Sequence, residues 1–134
     1  MYGRDDETWD RLTEAGLEFL IECARQSRPT SYTELNAQLE RRTGIDGFDF
    51  GRQDERAAMG YLLGLIVDRN RPETGMMISA LVTYTGGTGA GAGFFNLAAD
   101  LALIPRRASA EQKDEFWVRQ MKGVYAYYSA ARES

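Results

Sequence analysis

The sequence predicts an α+β domain that is mostly helical, with a short β-hairpin or single strand pair and a C-terminal amphipathic helix. Three observations carry this expectation. Apolar residues recur at three- and four-residue steps over long stretches near both ends of the chain. Ser31-x-x-Glu34 and Ser109-x-x-Gln112 have the spacing of helix capping boxes. The run Met76 to Tyr84 is rich in Ile, Leu, Val, Thr and Tyr and reads as a strand. With 134 residues, 43% apolar and 27% charged, the chain suits one globular domain, residues 1–134.

Each element has its own local reason. Asp5 to Arg25 reads as the first helix, since Trp9, Leu12, Gly16, Phe19 and Cys23 fall on one stripe that Leu20 and Ala24 widen. Asp5, Asp6 and Glu7 suit its positive N-terminal end, and Pro29 follows its close. A short helix, Tyr32 to Arg42, follows the first capping box with Leu35 and Leu39 inward. Gly44, Gly47 and Gly51 punctuate a loop that Phe48 and Phe50 can pin to the core.

Asp54 to Arg69 reads as a third helix with Ala58, Tyr61, Leu62, Leu65 and Ile66 inward and Asp54 as its N-cap; Pro72 and Gly75 are expected to break the chain after it. The strand at 76–84 needs a partner, because one strand alone is unstable. The expected partner is the glycine-rich stretch or Phe48-Asp-Phe50, with an almost all-helical outcome as the alternative. A helix follows from Phe94 to Leu103, and a last one runs from about Ala110 to Ala130. On that last helix Trp117, Met121, Val124, Tyr125 and Tyr128 share a face, widened by Phe116 and Tyr127.

Between strand and helix lies Thr85 to Phe95, TGGTGAGAGFF, with glycine at 86, 87, 89, 91 and 93. Its layout is that of a phosphate cradle, but the templates fail. Gly86 and Gly91 have P-loop spacing, yet Ala92 and Gly93 stand where Lys and Ser/Thr would reach phosphate and magnesium. The dinucleotide fingerprint requires glycine at 92 or 94, which are alanine and phenylalanine. The stretch therefore reads as a turn, with anion binding at the following helix N-terminus as a weaker alternative.

Composition removes several chemistries. There is no histidine, so no Ser–His or Cys–His pair can form. Zinc would need Cys and His ligands, and Cys23 is the single cysteine. No cofactor is expected. One cysteine, a polar acidic start and no apolar run near ~20 residues lead to the expectation of a cytoplasmic protein without a membrane span. Net charge is −4, with 13 acidic against 8 basic side chains in the first 60 residues. That balance disfavours a broad nucleic-acid surface.

Three stretches, TSYTELNAQL, ERAAMGYLLGLIVDRN and ISALVTYTGGTGAGAGFF, together resemble the DNA-binding half of the alkyltransferase-like proteins over about residues 30–93. Tyr32 to Leu39 resembles that family's first helix, Ala57 to Leu63 its second and Ile78 to Val82 its strand. The resemblance implies a winged-helix-like body. Alkyl transfer does not follow. The family's enzymes carry Pro-Cys-His-Arg at the strand start, and its alkyltransferase-like members carry tryptophan for that cysteine. Here Met77, Ile78, Ser79 and Ala80 stand in those positions. The family's arginine before the second helix is one position out of register, with Arg56 nearest. The pattern Y-x-E-L…S-A-L-V…G-x-G-F-F also resembles a loose set of small bacterial proteins, which adds no function.

Four groups of residues are candidates. Trp117, Arg119, Met121, Tyr125 and Tyr128 on the last helix, rimmed by Lys122 and Arg132, are of the types enriched in protein interfaces; the simpler reading is that this face completes the core. Tyr32, Thr33, Arg42, Arg56, Gly89 and Gly91 are the nucleic-acid set, with Arg41, Arg52, Arg69 and Arg71 able to reach phosphates if they converge. Asp46, Asp49 and Glu34 could act as acid–base carboxylates near the glycine stretch, or the Asp46, Asp49, Asp54, Glu55 group could simply be a solvated loop. Cys23, on an apolar stripe without a histidine, reads as inert. The function expected first is a non-enzymatic interaction module binding another protein or a second copy of itself. The alternatives are a DNA-binding winged-helix-like protein and a carboxylate-dependent enzyme or small-ligand binder.

Overall fold

The structure is a computed structural model that describes residues 1–84 and 90–133. It is mostly helical and α+β. The described residues form five α-helices, α1 (Asp6–Arg25), α2 (Tyr32–Thr43), α3 (Gln53–Thr74), α4 (Ala92–Asp100) and α5 (Ala110–Glu133), with strands β1 (Thr30–Ser31) and β2 (Val82–Thr83). None of these helices is long and apolar enough to cross a membrane.

Local chemistry sets the helix ends. Asp5 caps α1 by accepting the Thr8 amide at 2.8 Å. Ser31 caps α2 through the Glu34 amide at 3.0 Å. At α5 the capping box is reciprocal: Gln112 N donates to Ser109 Oγ at 3.1 Å, and Ser109 N donates to Gln112 Oε1 at 2.8 Å. The N-cap of α3 is Arg52, whose side chain makes no capping bond; Asp54 lies inside the first turn and pairs with Arg52. Pro72 does not stop α3. In the last turn it only withholds one amide from the Asp68 carbonyl, and the helix runs on to Gly75, whose φ of 72° is left-handed.

The stretch 76–84 corrects the strand expectation. It enters as a 3₁₀ turn, Ile78–Leu81, and only Val82 and Thr83 pair. The partner is neither the Phe48–Phe50 segment nor a hairpin arm. Thr30 pairs with Val82 and Ser31 with Thr83, in parallel. Burial explains the β-like composition: residues 77–82 are buried on all sides, so they read apolar without alternating. α5 satisfies part of this irregular backbone. Gln120 Oε1 accepts the Met77 amide at 2.8 Å, and Trp117 Nε1 donates to the Ala80 carbonyl at 2.9 Å.

α1 packs against α2, α3 and α5 around Leu12, Leu20, Leu35, Leu39, Leu62 and Ile66, all essentially without exposure. Gly16 permits the α1–α3 approach, since a Cβ there would lie 2.7 Å from Ile66 Cδ1. A second cluster, Val67, Met77, Ala80, Phe94, Ala98 and Phe116, joins α4 to α5 and α3. Burying one such side chain stabilises by ~1.5–3 kcal/mol, while one hydrogen bond of the strand pair contributes ~1 kcal/mol net. The helical core, not the sheet, holds the fold.

Candidate functional site

The start of α2, the middle of α3, the end of β2 and the first turn of α4 surround a hollow of about 310 Å³. Because Ser31 is the cap of α2, Tyr32 and Thr33 sit at the opening of that helix. Met59 and Gly60 lie three and four residues after Arg56 on α3 and so face the same side. Tyr84 follows β2 directly, and its ring lies 5.3 Å from the half-buried ring of Tyr32, tilted by 40°. Gly93 contributes from α4 and Phe50 from the loop before α3.

Tyr84 is 58% exposed, unusual for a large apolar side chain in this chain. Its seat depends on Gly91, because a Cβ at that position would lie 2.6 Å from the Tyr84 hydroxyl oxygen. Gly91 is also the N-cap of α4, where it offers no side-chain acceptor. The uncapped first turn of α4 therefore adds partial positive charge beside the hollow.

The electrostatics have one sign. Among the described residues none of those lining the hollow is a carboxylate, and Arg56 is the lining cation. Arg56 Nη1 donates to the Phe50 carbonyl at 2.7 Å, which fixes the guanidinium at the rim. A guanidinium has five donors, so this bond leaves others available. Burial, and then the neighbouring Tyr84, raise the Tyr32 hydroxyl above its ordinary value. It stays neutral and can donate.

A wider hollow, about 400 Å³, lies over α1 and α2 between Arg11, Glu14, Ala15, Glu18, Arg42 and Thr43. Both of its arginines are already engaged. Arg42 Nη1 lies 2.6 Å from Glu22 and 3.9 Å from Glu18, and Arg11 donates to the Thr43 carbonyl.

The sequence candidates separate into groups. Tyr32, Thr33 and Arg56 come together, with Gly91 just behind Tyr84; Arg42 points its guanidinium to Glu22 on α1, and Gly86, Gly87 and Gly89 lie outside the described residues. The arginines do not converge: Arg52 pairs with Asp54 and Arg69 with Asp10.

On α5, Tyr128 is 3% exposed and its hydroxyl accepts from Asn70 at 2.7 Å. Trp117, Met121 and Tyr125 pack against the two core clusters, and Arg119 is exposed near the Phe116 ring. The Arg132 side chain lies outside the described residues.

Glu34 is engaged by Thr30 and by Arg28, and the Thr30 hydrogen bond, followed by Arg28, lowers its pKa. Asp49 accepts from the Gly51 amide at 3.0 Å, and Asp46 is exposed. Neither lines the hollow. Among the described residues no group of three or more Cys, Asp or Glu is placed to hold a metal ion. Cys23 is buried, and desolvation pushes its thiol up to about 11, which leaves it unreactive.

Phe50, Met59, Gly60, Tyr84 and Gly93 complete the hollow without having been sequence candidates for it. Two signals point to it in retrospect. Tyr84 is an aromatic residue just beyond a buried run, and Gly60 leaves a gap between Met59 and Tyr61 on α3. Comparison with known protein families, with curated proteins and with solved structures gives no match to this chain.

Proposed function

We propose that this chain is a small-ligand-binding domain, and that its ligand joins a flat apolar body to one anionic group. The observation that carries the reading is convergence: four elements bring two tyrosines in ring contact, an apolar floor at Met59 and a rim cation at Arg56 to one hollow. At about 310 Å³ it stands at the lower end of the ~300–1,000 Å³ typical of ligand sites. Tyr32 and Tyr84 would hold the flat body, and Arg56 would pair the anion. No reaction is assigned, because the described lining residues hold no carboxylate, cysteine or histidine. The cytoplasmic setting belongs to this proposal as well.

The test is thermal melting with a panel of aromatic monocarboxylates and their uncharged amides. A ligand present at a hundred times its Kd stabilises by ~2.7 kcal/mol, which in a chain of this size raises Tm by about 8–10 °C. The carboxylates should raise Tm more than the amides, and Arg56→Ala should remove that preference. No shift with any member at millimolar concentration would sink the reading.

A winged-helix-like DNA-binding body is the second reading. Its support is that Tyr32, Thr33 and Arg56 share a face. It is weakened by the engagement of Arg42 with Glu22 and by a strand pair that is parallel rather than a hairpin. Binding of a short duplex that falls steeply between 50 and 200 mM salt would favour it.

A further inference from the structure

The hollow continues inward as a narrow slot of about 30 Å³. Tyr32, Gly60 and Gly93 line both spaces; Leu63, Phe94 and Leu97 supply apolar walls, and Ser79 supplies a hydroxyl. Ser79 is 4% exposed, and its Oγ has no hydrogen-bond partner among the described residues. A buried hydroxyl left unpaired costs ~1–3 kcal/mol, so a protein carries one where something else supplies the partner. Glycine keeps the passage open: a Cβ at 60 or 93 would meet nothing within 4 Å. The slot has room for one or two non-hydrogen atoms.

Resting on the ligand-binding reading, we infer that the site reads the far end of its ligand through Ser79: the ligand carries a single small polar group, opposite its anion, that enters the slot and bonds to the Ser79 hydroxyl. The distance is set by α3. From Arg56 at the rim to Leu63 in the slot wall the helix rises ~10 Å. The ligand class is therefore an aromatic acid whose polar substituent lies across the ring from the acid side chain.

The experiment compares 3-phenylpropanoate with 3-(4-hydroxyphenyl)propanoate by calorimetric titration of the full chain and of Ser79→Ala. The hydroxylated acid is expected to bind about tenfold tighter to the native chain. In Ser79→Ala the ratio should fall to within twofold. Equal affinities in the native chain, or a ratio that survives Ser79→Ala, overturn the inference and leave the ligand-binding reading in place. Binding of neither acid overturns both.

Discussion

Two faces of the molecule treat their polar groups in opposite ways. Around α1, α2 and the first turn of α3, two arginines are locked to carboxylates. Arg4 makes a two-pronged pair with Glu55 at 3.0 Å on each arm, both side chains only 14% exposed, and its guanidinium lies 4.3 Å from the Phe48 ring centroid and 5.5 Å from that of Trp9. Arg42 is tied to Glu22 in the same two-pronged manner. On the side of α3, β2 and α4, the cation holds only a backbone carbonyl, the helix start has no side-chain cap and a buried hydroxyl has no partner. The first arrangement ties Arg4 and Arg42 to carboxylates of the fold itself. The second leaves donors facing a hollow, which is what recognition of another molecule requires.

Two helical glycines offer the sharpest way to break this comparison. Gly16→Val, on the closed side, pushes new atoms into the fully buried Ile66. The expected cost is about 2–3 kcal/mol, read from denaturant unfolding. Next in size is Arg4→Ala, which removes a two-pronged pair and two ring contacts and should cost about 2 kcal/mol at pH 7.

That cost should depend on pH. Hydrogen bonding from Arg4, its first cause, holds the folded Glu55 carboxyl below the ordinary 4.5. The stabilisation is complete above 4.5 and is lost as pH falls through the depressed folded value. The Tm gap between native chain and variant should therefore be widest near pH 7 and narrow below 4.5. A gap constant from pH 7 to pH 3 would assign the Arg4 contribution to ring contacts alone.

The smallest effect has the opposite sign. Gly60→Ala replaces a helical glycine whose Cβ space is open, and should stabilise by about 0.5–1 kcal/mol. The same methyl narrows the passage to Ser79, so binding of the hydroxylated acid should weaken while the fold gains. A stabilised variant with unchanged binding would detach the slot from function.

Much of the closed side was legible in the sequence, because it follows from periodicity and caps. The stripe Trp9, Leu12, Gly16, Phe19, Cys23 is the buried face of α1, and both serine caps form; the box at Ser109 is reciprocal, whereas the Glu34 carboxylate turns to Thr30 and Arg28. The open side was legible only in part. Tyr32, Thr33 and Arg56 could be selected by type, but Met59 and Gly60 look like any edge of a helical stripe, and periodicity does not say which edge borders a void.

The strand reading of 76–84 ran too long, since a segment buried all round has the composition of a strand whatever its backbone. Its true partner, Thr30–Ser31, is two small polar residues with no signal of pairing. At α3, Pro72 was read as a stop because proline costs helices most in their interiors, whereas in a last turn only one carbonyl goes unserved.

The parallel pairing of residue 30 with residue 82 also has a kinetic consequence. It closes a loop that contains all of α2 and α3, and closing such a loop in an unstructured chain costs ~3–4 kcal/mol. Two paired residues and the Thr83 Oγ1 bond to the Thr30 carbonyl cannot offset that until the helices have docked. The pairing thus belongs to the late side of the folding barrier. Thr83→Ala should speed unfolding and leave the folding rate nearly unchanged. Native-state amide exchange should find Val82 to Tyr84 opening at lower free energy than the centre of α1. Tyr84 rides on this segment, so the same measurement should find the wall of the hollow opening before the body, which would admit a ligand of the proposed kind while the core stays folded.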